Sequence, residues 1–160
     1  MFSGPQIVED FAAAGVSHVV WLPDSTLGQW DEALRTAPSL RLLRVCREGE
    51  AWTIAAGLHL AGARPLVVLQ STGLFESGDA LRNVYFDLQL PIPALVGYRS
   101  YLLPQSTDSA KRFCEPILRA WQLDYRLIER PEQRPAMVEH WRDCAARRVP
   151  GVVLLAEGKG

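Results

Sequence analysis

Apolar residues recur along this chain in two alternating patterns, one spaced like a helix face and one forming short unbroken runs. Gln6 to Ala14 has the helical spacing and stops at Gly15, the residue type that ends a helix by turning left-handed. Ser17 to Leu22 (SHVVWL) is short and β-branched, and Pro23 closes it. The alternation then repeats. A helix is expected from Leu27 to Leu34, broken at Pro38, then a strand from Leu40 to Val45 and a helix from about Glu48 to Ala61. Pro65 to Leu69 (PLVVL) reads as a buried strand, followed by a polar turn at Ser71 to Gly73 and a helix through about Asp87. Pro93 to Gly97 is a fourth strand, and a longer loop runs from Arg99 to about Ser109. A helix to Trp121, the strand Tyr125 to Ile128, the helix Glu132 to Arg147 and the strand Val152 to Leu155 complete the set.

Strands separated each time by a helix call for parallel pairing with right-handed crossovers. Their apolar runs do not alternate with polar residues, which is the pattern of a sheet covered on both faces. The expected fold is therefore α/β, a single doubly wound domain over residues 1–160 with a six-stranded, mostly parallel sheet between helical layers. No internal repeat, low-complexity tract or linker interrupts it.

Composition narrows the function classes. At 160 residues, 48% hydrophobic and a formal charge of −1, the chain has the make-up of an ordinary soluble globular protein. Its arginines are spread out and matched by acids, so no basic stripe points to nucleic acid. No apolar run is long enough for a membrane helix, and the acidic start MFSGPQIVED does not read as a signal peptide. Cys46, Cys114 and Cys144 form no CxxC pair and read as small buried hydrophobes with no histidine at metal-ligand spacing. A reducing cytoplasm is the expected location.

Ligands of an open parallel sheet bind beyond the carboxyl ends of its strands. That rule selects Pro23-Asp24-Ser25, Arg47-Glu48-Gly49-Glu50, Gln70-Ser71-Thr72-Gly73-Leu74-Phe75-Glu76 and Tyr98-Arg99-Ser100. A glutamate in the first turn of a helix gains about 0.3–1 kcal/mol from the macrodipole and needs no further reason to be there. Glu48, however, is followed by an apolar face with small members, Ala51, Ile54, Ala55 and Leu58, whereas Glu50 has no such setting. Asp24 and Ser25 read either as site residues or as a helix cap.

The segment REGEAWTIAAGLHLAGARPLVVLQSTGL, with WLPDSTL before it and LPIPALVGYRS after it, resembles the pyrimidine-binding (Pyr) domain of thiamine diphosphate enzymes. It is most like the α subunits and N-terminal domains of sulfopyruvate and phosphonopyruvate decarboxylases. The alternation of elements matches over nearly the whole chain, and the specific motifs cover Trp21 to about Arg99. The resemblance implies that Glu48 hydrogen-bonds N1′ of the aminopyrimidine and favours its imino tautomer. The ring's own N4′ then takes the thiazolium C2 proton, and the activated cofactor attacks a 2-oxo acid. It implies further that Gln70, Ser71, Thr72, Gly73 and Leu74 contact the cofactor and that Asp24, Ser25, Phe75, Glu76 and Arg99 face the substrate. Arg99, helped by Lys111 and Arg112, would meet an anionic 3-substituted pyruvate; a solvated surface arginine is the rival reading.

The diphosphate of such enzymes is bound through Mg²⁺ by a GDG sequence with a downstream asparagine. Here Gly78-Asp79 is followed by Ala80, and the only asparagine is Asn83. The resemblance thus implies a partner, a β subunit carrying the GDG motif, the asparagine and the Mg²⁺, in an α₂β₂ or larger assembly. Trp52, Phe75, Tyr85 and Phe86 are either contacts to that partner or core. Two departures bear on the substrate. Where the family turn reads GLGN, this chain has Gly73-Leu74-Phe75-Glu76, and its loop SYLLPQSTDSAKR has no histidine. They point to a larger or less acidic substrate, or to a carboligase (acyloin synthase). A non-catalytic flavodoxin-like binding module is the alternative from another class.

Overall fold

The computed structural model describes residues 2–158. Helix α1 (Gly4–Ala13) begins at Ser3, whose hydroxyl and backbone N–H form a capping box with Gln6. It ends where Gly15 takes a φ of 78°, a conformation costly for a side chain with a Cβ. Strand β1 (His18–Trp21) leads through a 3₁₀ turn (Leu27–Trp30) into α2 (Asp31–Thr36) and β2 (Arg41–Arg44). Next come α3 (Glu48–Leu60), β3 (Pro65–Gln70), α4 (Ser71–Glu76) and α5 (Gly78–Arg82), which passes into a π-helical turn (Asn83–Asp87). The chain continues through β4 (Ala94–Tyr98), α6 (Ser109–Ala120), β5 (Tyr125–Ile128), α7 (Arg134–Arg147) and β6 (Val152–Ala156).

The six strands form one sheet in the order β2-β1-β3-β4-β6-β5. Every pairing is parallel, so the antiparallel member that the sequence reading left room for is absent among the described residues. Alternate residues of each strand feed two separate cores. Val67, Leu69, Val96 and Leu154 pack with Trp52, Leu74, Leu81 and Leu118 on the face covered by α3, α4, α5 and α6. Leu66, Val68, Leu95 and Val153 pack with Phe11, Leu34, Met137 and Trp141 on the face covered by α1, α2 and α7. Right-handed crossovers fix that division: connections stepping one way along the sheet lie on one face, and those stepping back lie on the other. The direction reverses between β1 and β3, where their loops part to opposite faces.

One sequence expectation changes here, and one left open is decided. Ser71 to Gly73 is not a turn but the first turn of α4, entered directly from the extended Gln70. Trp52 and Tyr85 are core: their rings meet edge to face at 5.0 Å, and the Tyr85 hydroxyl donates to the Ile92 carbonyl. Phe86 is 43% exposed, with its ring edge on Trp121. No helix among the described residues is long and apolar enough to cross a membrane.

Candidate functional site

The carboxyl ends of β1, β2, β3 and β4 bring the four selected loops to one edge of the sheet. Glu48 opens α3 directly after the extended Arg47 and is half-buried. Its side chain lies over Gly73 so closely that a Cβ there would stand 2.5 Å from Glu48 Cγ and 2.6 Å from Oε1. Only glycine fits. The neighbouring acids are engaged elsewhere. Glu50 Oε2 accepts from the N–H groups of Cys46 (3.0 Å) and Arg47 (3.3 Å). Glu76 accepts from Arg47 Nη2 at 2.7 Å and from Gly49 N at 2.8 Å, and the Arg47 hydrogen bond with that of Gly49 holds its carboxyl below the usual range. Among the described residues, none donates a hydrogen bond to the Glu48 carboxylate or pairs with it.

Around this carboxylate the other candidates separate. Ser71 is fully buried and its hydroxyl has no partner, while Gln70 accepts from Thr72 Oγ1 at 3.2 Å. Leu74 is core, and Phe75 lines a shallow apolar groove of about 450 Å³ with Ser109, Phe113, Pro116 and Ile117. Asp24 is a cap: its Oδ1 accepts from Thr26 N (2.7 Å) and Leu27 N (2.9 Å). Its other oxygen is buried without a partner, and Ser25 beside it is exposed. Arg99 is ion-paired with Asp108, its Nε 3.0 Å from Oδ2 without an aligned hydrogen bond, and that oxygen accepts from Ser100 Oγ. The Ala110 N–H, with Ser100 and Arg99 adding to it, holds the Asp108 carboxyl low. Lys111 donates to the Leu103 carbonyl, and Arg112 lies over the Phe113 ring.

The sequence reading missed Glu157. It follows β6 at the same edge, is only 4% exposed, and neither of its oxygens has a hydrogen-bond partner. Gly97 makes the space it occupies, since a Cβ at Gly97 would collide with its carboxylate. Burial, reinforced by the charge of Asp24, pushes its carboxyl up to about 7. Thr26, Arg99 and Gln70 approach and oppose that shift in part, without completing a hydrogen bond. An acid directly after an apolar strand run was the available signal.

At the opposite, amino-terminal edge, Asp124, His140 and Cys144 bring their ligand atoms within 4.8 Å of one another. His140 and Cys144 are four apart on α7, a spacing the sequence reading passed over. The Arg147 guanidinium already donates to both Asp124 and Cys144, so a cation stands at this cluster.

No family model matches the chain. It is 25% identical to the sulfopyruvate decarboxylase subunit alpha of Methanothermobacter thermautotrophicus over 90% of this chain and 88% of that protein. It is 26% identical to the sulfopyruvate decarboxylase of Methanosarcina acetivorans over 71% of this chain, which spans 30% of that protein. With the phosphonopyruvate decarboxylase of Streptomyces viridochromogenes the identity is 27% over 99% of this chain and 41% of that protein. Over nearly its whole length, and at about a quarter identity, the chain is thus related to the alpha subunit of sulfopyruvate decarboxylase and to a stretch of phosphonopyruvate decarboxylase.

Proposed function

We propose that this chain is a decarboxylase subunit, namely the pyrimidine-binding subunit of a heteromeric, thiamine diphosphate-dependent 2-oxo acid decarboxylase. The similarity to proteins named as alpha subunits supports a partner subunit. The observation that carries the cofactor reading is the unpaired Glu48 carboxylate, held over Gly73 beside the point where the strand order reverses. Gly73 makes room for the Glu48 side chain itself, and the carboxylate so placed has spare acceptor capacity for a ring N–H. Diphosphate and Mg²⁺ belong to the partner, because hard cations take clustered oxygen ligands. Among the described residues, the group able to hold a metal is the Asp124 cluster at the wrong edge, already facing Arg147.

Thiamine diphosphate supplies an electron sink for the carbanion left when carbon dioxide departs. The residues of this chain do the rest of the work on their side of the cleft. Glu48 would hold and exchange a proton at the ring nitrogen, Gly73 leaves the space its side chain occupies, and the Arg47–Glu76 pair, with Glu76 accepting from Gly49 N, ties down the first turn of α3 that carries it. Glu48→Gln keeps the shape and loses the exchange. In the assembled complex it is expected to lower kcat by about 100-fold or more, the lower range for general acid–base catalysis. A variant within a few-fold of wild type sinks the assignment.

The apolar groove beside Phe75 supports a second reading, a carboligase passing the carbanion to an aldehyde instead of a proton. Product analysis with pyruvate, with and without an acceptor aldehyde, separates the two.

A further inference from the structure

We infer that the acid handled at this sheet edge has an uncharged tail, and that Glu157 together with Asp24 turns away a tail bearing a sulfonate or phosphonate. This rests on the decarboxylase reading and names its substrate class. Three carboxylate oxygens, both of Glu157 and Oδ2 of Asp24, are buried at the ends of β6 and β1 with no donor satisfying them. A buried acceptor left unpaired is costly, so its presence calls for a functional reason. Beside them opens a cleft of about 650 Å³ whose lining includes Ser25, Thr26, Leu102, Glu129 and Glu157. Among the described residues no lysine or arginine lines it.

The cations near this edge lie outside the cleft and each has a neighbour of its own: Arg99 is ion-paired with Asp108, Lys111 donates to the Leu103 carbonyl, Arg112 lies over the Phe113 ring and Arg47 pairs with Glu76. A sulfonate entering the cleft would meet no cation in its lining and would face the carboxylates of Glu157 and Glu129, with Asp24 behind them. Like charges beside a partly buried surface repel more strongly than in bulk water. A tail without charge meets no such barrier. The charged groups facing Glu157 are Asp24 from the β1 loop and Arg99 from the end of β4, while Thr26 and Gln70 are neutral.

The test uses the complex purified from its native host. Its kcat/KM is measured with sulfopyruvate and with uncharged-tail acids: pyruvate, 2-oxobutanoate and 4-methyl-2-oxopentanoate. At pH 8 the best uncharged acid is expected to be favoured at least about tenfold, roughly 1.4 kcal/mol in transition-state terms. The sulfopyruvate-to-pyruvate ratio should fall as pH rises through about 7, where Glu157 ionises, although the sulfonate carries its charge throughout. Glu157→Gln should abolish that fall, and the wild-type pH series gives the same reading without a substitution. Equal or better use of sulfopyruvate, or a ratio that does not change with pH, overturns the inference alone. No turnover with any of the four acids overturns it together with the decarboxylase reading.

Discussion

Gly73 and Glu157 are the residues at which small chemical changes have the largest expected effects. At Gly73 a single methyl group would press on the Glu48 side chain, which is the least mobile place to absorb it because the α3 backbone follows immediately. Gly73→Ala is expected to cost about 1–3 kcal/mol, the usual price of forcing an extra carbon into a filled site. It should also displace Glu48, so urea unfolding should show the stability loss and cofactor binding by the assembled complex should weaken. At Glu157 the folded-state pKa is raised, by burial first and Asp24 second, from 4.5 to about 7. The folded chain therefore holds this proton more tightly than the unfolded chain. Its contribution is fully present below about 4.5 and is lost as pH rises through about 7, on the order of 3 kcal/mol for a shift of that size. Unfolding midpoints at pH 5 and pH 8 should show wild type losing stability relative to Glu157→Gln. A constant difference between the two proteins contradicts this.

At the scale of elements, α3 does two jobs with two ends. Its first turn presents Glu48, and its middle buries Ala51, Trp52, Ala55 and Ala56 against the sheet. Trp52 is the anchor: it is fully buried and set edge-on to Tyr85. Trp52→Ala should cost about 3–5 kcal/mol, read by urea unfolding, because the void left by an indole is too large for the neighbours to fill. The apolar runs of β3, β4 and β6 were legible as strands because each is buried on both faces. Helix α4 was not: serine, threonine and glycine are poor helix formers and read as a turn. Burial of Leu74 and the hydrogen bond from the Ser77 hydroxyl to the Gly73 carbonyl override that local preference. The site divides along the same line. Glu48 was visible as an acid opening a helix, whereas Glu157, two residues past the expected end of the last strand at Leu155, was not among the loops selected beyond the first four strands. The packing that leaves its oxygens unpaired depends on Gly97, 60 positions earlier in the chain, which no local window connects to it.

On the proposed reading the whole molecule supplies, at one sheet edge, half of a site. Glu48 offers an unpaired carboxylate there, yet the oxygen ligands that a phosphate-bridging metal needs are not gathered at that edge among the described residues. The isolated chain is accordingly expected to bind thiamine diphosphate weakly and to turn over no 2-oxo acid, while co-purification should bring a second chain with GDG and a downstream asparagine. Calorimetry on the single chain, and mass spectrometry of the purified complex, check the two halves of that expectation. Full activity from the lone chain contradicts it.

The two carboxylates at this edge stand on different sides of the sheet. Glu48 rises from the layer of α3 and α4, while Glu157 reaches past Gly97 toward Leu27, in the layer of α1 and α7. Between them lie the central strands of the sheet. On the proposed reading diet and ignition are thereby decoupled: mutations in one helical layer would retune which acid is accepted without touching the residue proposed to wake the cofactor, so a laboratory seeking new substrates should randomise the residues around 24 and 157 and leave 48, 73 and 97 alone.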